Sequence, residues 1–204
     1  RNITSNKINV INHFSPFMKS NYVPNFKLNN IFYAGNMSRP QNLSAFLRYF
    51  QKHFPSDWKL DIYGAGQEFN NLSEFSKDNI RINNYLERKE LENLTKEIPF
   101  ALICLDYEIT FEGFPGKTFD YLNMNKVLIN FSNPNSVVSK LIDKYGLGFN
   151  IDLENPKSLR AKLEDMKNSD EISKILENIK YFQQSVSNKQ IASKSYLELI
   201  SSSS

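Results

Sequence analysis

Two carboxylates, Glu112 and Asp120, bracket a short turn in the segment EGFPGKTFDYL, residues 112–122. Between them lie two glycines, a proline, a lysine and a threonine. Gly116, Lys117 and Thr118 fall where a helix is expected to begin. Free backbone N–H groups, the helix dipole, an ammonium and a hydroxyl together suit a diphosphate. Asp120 comes about one turn later. A carboxylate there is out of place against a phosphate unless it serves another part of the ligand, and a ribose diol offers two O–H donors. Glu112 precedes the turn, where it could accept sugar hydroxyls or stabilise developing positive charge. A nucleotide joined to a sugar uses every part of the segment. An acid in the first turns of a helix also favours the dipole without any ligand, so the segment alone leaves both readings open.

The elements that must position this turn follow from the apolar pattern. Short apolar runs alternate with helical patterns from about residue 30 to 152. Strands are expected at NIFYAG (30–35), KLDIYG (59–64), NIRINNY (79–85), PFALICL (99–105), KVLINF (126–131) and LGFNID (147–152). Helices are expected from Pro40 to His53, within GQEFNNLSEFS, at 87–97 with Leu91 and Leu94 on the apolar face, at 116–124 and at 135–145. Strands without polar alternation, separated by helices, imply a parallel sheet covered on both faces. Right-handed crossovers make it an α/β, doubly wound, Rossmann-like sheet. Three divisions result: a hinge or connector over 1–28, a Rossmann-like nucleotide-sugar-binding unit over 29–155, and helices over 156–204 that pack on it. In such a sheet ligands bind at the C-terminal ends of the strands, which directs attention to AGNMSRPQN, YGAGQ, YLER, DYEITFEGFPGK and NFSNPNS.

The 204 residues are 40% hydrophobic and 13% aromatic, enough for a sizeable core, and the net charge is +3. Basic residues are spread along the chain, which does not point to nucleic acid and leaves room for one localised anion site. A lone cysteine, Cys104, reads as a buried core residue, and a reducing compartment fits it. No apolar stretch is long enough to span a membrane. The chain begins at Arg1 without a signal pattern and reads as part of something longer. His13 and His53 are too few for a metal cluster or a Ser-His-Asp arrangement, and no metal site is expected. GAGQEF at 64–69 follows a strand but lacks the third glycine of a dinucleotide fingerprint.

EGFPGKTFDYL resembles the E-x7-E segment of family 4 retaining glycosyltransferases of the GT-B fold, the bacterial group that builds capsule, O-antigen and exopolysaccharide. Glu112 matches the first acid, and Asp120 matches the second with a shorter side chain. IFYAGNMSRPQNL resembles the first strand and loop of that family's donor-binding domain. KLDIYGAGQEF resembles the second strand, IRINNYLERKEL the segment leading to the base pocket, and KVLINFSNPNSVVSKLIDKYGLGFNID the end of the Rossmann unit. Order and spacing agree over roughly residues 30 to 152.

The resemblance implies the C-terminal, donor-binding half of an enzyme that moves a hexose from a UDP- or GDP-sugar to a hydroxyl acceptor with retention. KINVINHF resembles the hinge to a missing N-terminal acceptor-binding domain, and the 189–200 helix is a candidate to cross back to it. Asp120 should hold the ribose and Glu112 the transferred sugar. Gly113, Phe114, Pro115 and Gly116 should line sugar and phosphates, with Lys117 and Thr118 at the diphosphate. Tyr85 and Leu86 should border the base, with Gly35 and Gly64 at the turns. Arg39 is the best basic candidate in the first loop, where the pattern departs: Asn36 follows Gly35 in place of an arginine, and Pro40-Gln41 stand where a lysine is expected. No cofactor or metal is implied. The acceptor would be a lipid-linked sugar, and the enzyme cytoplasmic and peripheral at the inner membrane face. A non-catalytic nucleotide-sugar-binding module or degenerate partner subunit is the alternative. An epimerase of the same fold is disfavoured, because the cleft loops hold no histidine.

Overall fold

A computed structural model describes residues 19–110 and 115–187, together with Ser193, Lys194 and Leu197. Six strands form one parallel sheet: β1 (Asn30–Asn36), β2 (Lys59–Ala65), β3 (Ile80–Asn84), β4 (Phe100–Cys104), β5 (Val127–Phe131) and β6 (Gly148–Asn150). Their order is β3-β2-β1-β4-β5-β6, the doubly wound arrangement expected from the apolar runs. Every residue of β4 and β5 is buried, which is why neither shows polar alternation.

Helices α1 (Leu43–His53), α2 (Phe69–Ser73), α3 (Arg88–Thr95), α4 (Lys117–Asn123) and α5 (Val137–Tyr145) connect the strands. A 3-10 turn, Arg39–Gln41, precedes α1. Helices α6 (Ser158–Asp165) and α7 (Ser169–Ser185) follow the sheet. Phe46 and Tyr49 of α1 meet Phe131, whereas Tyr121 of α4 packs edge-on against Phe32. Phe32, Ala101 and Leu128 lie in one register row, and Phe131, three residues past Leu128, faces the other way. Thus α1 and α4 cover opposite faces.

Local chemistry explains the element ends. Leu43, Phe46, Leu47 and Phe50 give α1 its buried stripe at helical spacing. The Ser136 hydroxyl accepts the Ser139 N–H at the start of α5, and Gly146 (φ +60) closes that helix in the left-handed region that glycine adopts freely. Trp58 is buried against Phe54 and Phe100. Leu94 departs from expectation: it is 55% exposed. Thr95 is the buried residue of α3, one turn from the half-buried Leu91, so the inward stripe is rotated by one position.

Residues 19–28 run beneath the sheet as irregular chain. The Ser20 N–H donates to the Asn123 carbonyl, the Asn25 N–H to that of Glu97, and Asn125 Nδ2 to the carbonyls of Ser20 and Tyr22. Nearby, the buried Lys126 donates to the carbonyls of Thr95, Lys96 and Ile98 at 2.7, 2.9 and 2.8 Å. These close the end of α3. Burial pulls the Lys126 pKa down to about 7, while three carbonyls favour the ammonium, the only form with three N–H donors. α7 braces α4 from outside: Phe182 stacks on Phe119, and Gln183 Nε2 donates to the Leu122 carbonyl at 2.6 Å. The expected KINVI strand lies outside the described residues, as does most of the 189–200 helix.

Candidate functional site

β1 and β4 pair only at Ile31–Phe100 and Phe32–Ala101, whereas β1 stays paired with β2 through Asn36. The two central strands therefore part near their C-terminal ends, at the point where the strand order reverses. Such a crevice is where open α/β sheets bind ligands.

One side chain from α4 bridges the parting. The Tyr121 hydroxyl accepts the Ala34 N–H at 2.8 Å and donates to the Ala34 carbonyl at 3.0 Å. Tyr121 thus takes the place of the missing strand neighbour and fixes α4 against the end of β1.

That clamp sets the position of Lys117, the first residue of α4. Its Nζ lies 3.6 Å from the centroid of the Tyr33 ring. It is buried and has no hydrogen-bond partner among the described residues. A β-carbon on Gly35 would stand 2.7 Å from it. Gly35 also has φ +141, which few side chains tolerate. Burial lowers the Lys117 pKa to about 7, with Cys104 and Asp120 partly opposing. A buried ammonium without an anion is costly, and the face of Tyr33 compensates only in part. The Thr118 hydroxyl beside it is also buried and has no partner among the described residues. Asp120, half-buried, is near enough to act on both Lys117 and Tyr121.

A shallow cleft of about 180 Å³ adjoins the crevice, lined by Gly35, Tyr63, Tyr85, Leu86, Arg88 and Leu91. Tyr85 is 61% exposed and forms its rim. Among the described residues, a β-carbon on Gly116 would meet nothing within 4 Å, so their packing does not require glycine there. Pro115 and Gly116 lead directly into α4. Glu112, Gly113 and Phe114 lie outside the described residues.

The structure thus brings together Gly35, Tyr85, Leu86, Lys117, Thr118 and Asp120. Gly64 is placed differently: a β-carbon on it would stand 2.0 Å from the Gly35 carbonyl oxygen, so it lets β2 lie close to β1. Gly66 likewise gives way to the Met37 carbonyl, 2.2 Å from where its β-carbon would be. The G-x-G at 64–66 is therefore accounted for by packing. Arg39 lines another cleft, with Asn42, Glu68 and Asp106. Cys104 is buried, and burial pushes its thiol pKa up. Tyr121 and Lys126 were not marked by any local motif.

No family model and no curated protein matches the chain. Solved structures do. The apo form of the lipopolysaccharide outer core galactosyltransferase WaaB matches over 99% of this chain and 57% of its own, with 15% identity and a TM-score of 0.69. WaaG, a glycosyltransferase involved in lipopolysaccharide biosynthesis, matches over 94% and 56%, with 11% identity and a TM-score of 0.69. The pneumococcal O-GlcNAc transferase GtfA in complex with UDP and GlcNAc matches over 93% and 38%, with 15% identity and a TM-score of 0.62. The fold is that of a Rossmann-like domain of the GT-B glycosyltransferases. The chain spans a little over half the length of WaaB and WaaG and under two-fifths of that of GtfA. No helix among its described residues is long and apolar enough to cross a membrane.

Proposed function

We propose that this chain is the donor-binding half of a retaining glycosyltransferase, which moves a hexose from a nucleotide-diphosphate sugar to a hydroxyl acceptor. The buried Lys117 ammonium beside Gly35, without a hydrogen-bond partner among the described residues, carries the reading. It lies where the central strands part, beside a shallow cleft with an aromatic rim, and an anionic ligand would complete it. In this reading the base rests on Tyr85 and Leu86, the diphosphate approaches Gly116 and Lys117, and Asp120 accepts the ribose hydroxyls. Lys117 neutralises charge as the diphosphate leaves, an electrostatic role that a preorganised group performs well. Glu112 takes the role that the resemblance implies, contact with the transferred sugar. The UDP in the GtfA complex supports a uridine donor. The acceptor, a lipid-linked sugar at a membrane face, would be met by a second domain.

Arg39 lines a separate cleft, and Asn36 carries no charge, which leaves Lys117 at the crevice and Arg88 in the adjoining cleft as the cations for a diphosphate. That favours, as a second reading, a module that binds nucleotide sugars without transferring them. Calorimetric titration with UDP-, GDP- and ADP-sugars tests the shared core of both. One should bind, and Asp120→Asn should weaken it without unfolding the protein. Unchanged affinity in a folded Asp120→Asn protein would remove the ribose assignment.

A further inference from the structure

The cleft beside the crevice runs across the C-terminal ends of three strands. Gly35 of β1, Tyr63 of β2 and Tyr85 just after β3 line it, together with Arg88 and Leu91 of α3. β3 stands two places from β1 in the sheet, roughly 10 Å away at the usual spacing of neighbouring strands. Lys117 meets the β1 end, at Gly35. Arg88 opens α3 directly after β3, which places it on the β3 side. The ammonium therefore lies where the diphosphate approaches, and the guanidinium lies on the side of Tyr85, where the base rests. At about 180 Å³ the cleft is smaller than pockets that enclose a whole ligand, in keeping with a single base held there.

The hydrogen-bonding groups of this cleft are lopsided. Among the described residues no carboxylate and no side-chain amide lines it. The hydroxyls of Tyr63 and Tyr85 donate or accept equally well, and main-chain groups supply a donor and an acceptor at each residue. Arg88 only donates: its guanidinium has five N–H groups, no acceptor and a permanent charge. It has an interaction of its own within the chain, and five N–H groups can serve more than one partner. The ring of Tyr85 and the half-buried Leu91 offer a base the apolar and stacking contact that any base accepts. Guanine turns two acceptors, O6 and N7, to such a fork, whereas adenine sets an amino group beside its N7. Uracil carries a carbonyl oxygen where cytosine carries an amino group. An amino group facing a guanidinium is left without a partner, and that is the source of discrimination.

We infer that Arg88 reads the edge of the donor's base and selects uracil or guanine, which turn carbonyl oxygens to it, over cytosine or adenine, which turn amino groups. The inference rests on the donor-site reading above and adds to it the side chain that chooses the nucleotide. A role for Arg88 on the diphosphate instead would be blind to the base, so the two roles separate by experiment.

Calorimetric titration of the full chain with UDP against CDP, and with GDP against ADP, tests it. Within each pair the ribose, diphosphate and ring size are the same, and only the base edge differs. UDP or GDP should bind about tenfold or more tighter than its amino-bearing counterpart, and the pair that binds names the ring. Arg88→Gln, a change at an exposed position, supplies a donor and an acceptor. It should bring the ratio within about threefold, chiefly by weakening the carbonyl-bearing ligand, in a protein whose circular dichroism is unchanged. Arg88→Lys keeps the charge but not the planar fork, and it should lower the ratio too. Equal or reversed preference within the pair that binds would overturn this inference alone. So would an Arg88→Gln protein that loses affinity for both members equally and keeps the wild-type ratio, which would put Arg88 on the diphosphate. Binding of none of the four would overturn the donor-site reading, and this inference with it.

Discussion

The Lys117 ammonium lies 2.7 Å from the point where a β-carbon on Gly35 would stand. Those two residues are far apart in sequence, and their meeting depends on Tyr121 tying α4 to Ala34. The amine is buried beside the crevice with no hydrogen-bond partner among the described residues, an arrangement that costs stability and makes sense for an anion site. Lys117→Met should therefore raise stability at neutral pH, by about 1–3 kcal/mol, while abolishing nucleotide-sugar binding. Denaturant unfolding and calorimetry on the same protein check both halves. A variant that loses stability would mean that Lys117 is structural.

Binding should depend on pH. Burial brings the Lys117 pKa down to about 7 from 10.5, and a diphosphate selects the charged form. With a nucleotide sugar, whose diphosphate does not titrate near neutrality, Kd should rise about tenfold between about pH 6 and about pH 8. The effect on folding has the opposite sense. Between about pH 7 and 10.5 the unfolded chain holds the proton that folded Lys117 has lost, so stability rises with pH. Lys126 contributes in the same direction. The Lys117 part is the difference between wild type and Lys117→Met.

Gly116 separates a packing role from a ligand role. Its backbone is right-handed, φ −53 and ψ −35, and a β-carbon there would meet no atom of the described residues within 4 Å. Gly116→Ala should leave stability unchanged or raise it by up to about 1 kcal/mol. It should nonetheless weaken nucleotide-sugar binding, because the added methyl stands where the diphosphate approaches. Equal affinity for the two proteins would place the phosphates elsewhere.

Tyr121→Phe removes the hydroxyl that serves both backbone groups of Ala34. Two buried polar groups would be left unpaired, and stability should fall by about 1–3 kcal/mol. Binding should weaken as well, since the start of α4 is no longer fixed against β1. Thermal unfolding with and without nucleotide sugar separates the two losses.

The sheet was legible in the sequence because FALIC and VLINF are apolar at every position, a pattern that only a strand covered on both sides can use. The candidate segment drew attention because acids, glycines and a lysine are crowded into a few residues beside it. What was not legible depends on distant partners. Tyr121 meets Ala34 across 87 positions, and nothing in YL or NMN marks its hydroxyl. Lys126 looks like an ordinary strand-edge lysine until the end of α3 arrives above it. Gly64 and Gly66 carry a ligand-binding look, yet neighbouring carbonyls account for both. Leu94 has helical spacing but stands on the open side of α3, where spacing alone does not choose the face.

The most direct test is calorimetric titration of this chain with UDP, GDP, ADP, their common sugar conjugates and NAD. Binding of one nucleoside diphosphate and its sugar conjugate is expected, lost in Lys117→Met and weakened in Asp120→Asn. Binding of NAD alone, or nucleotide binding that both variants retain in full, would contradict a nucleotide-sugar site at the Lys117 crevice.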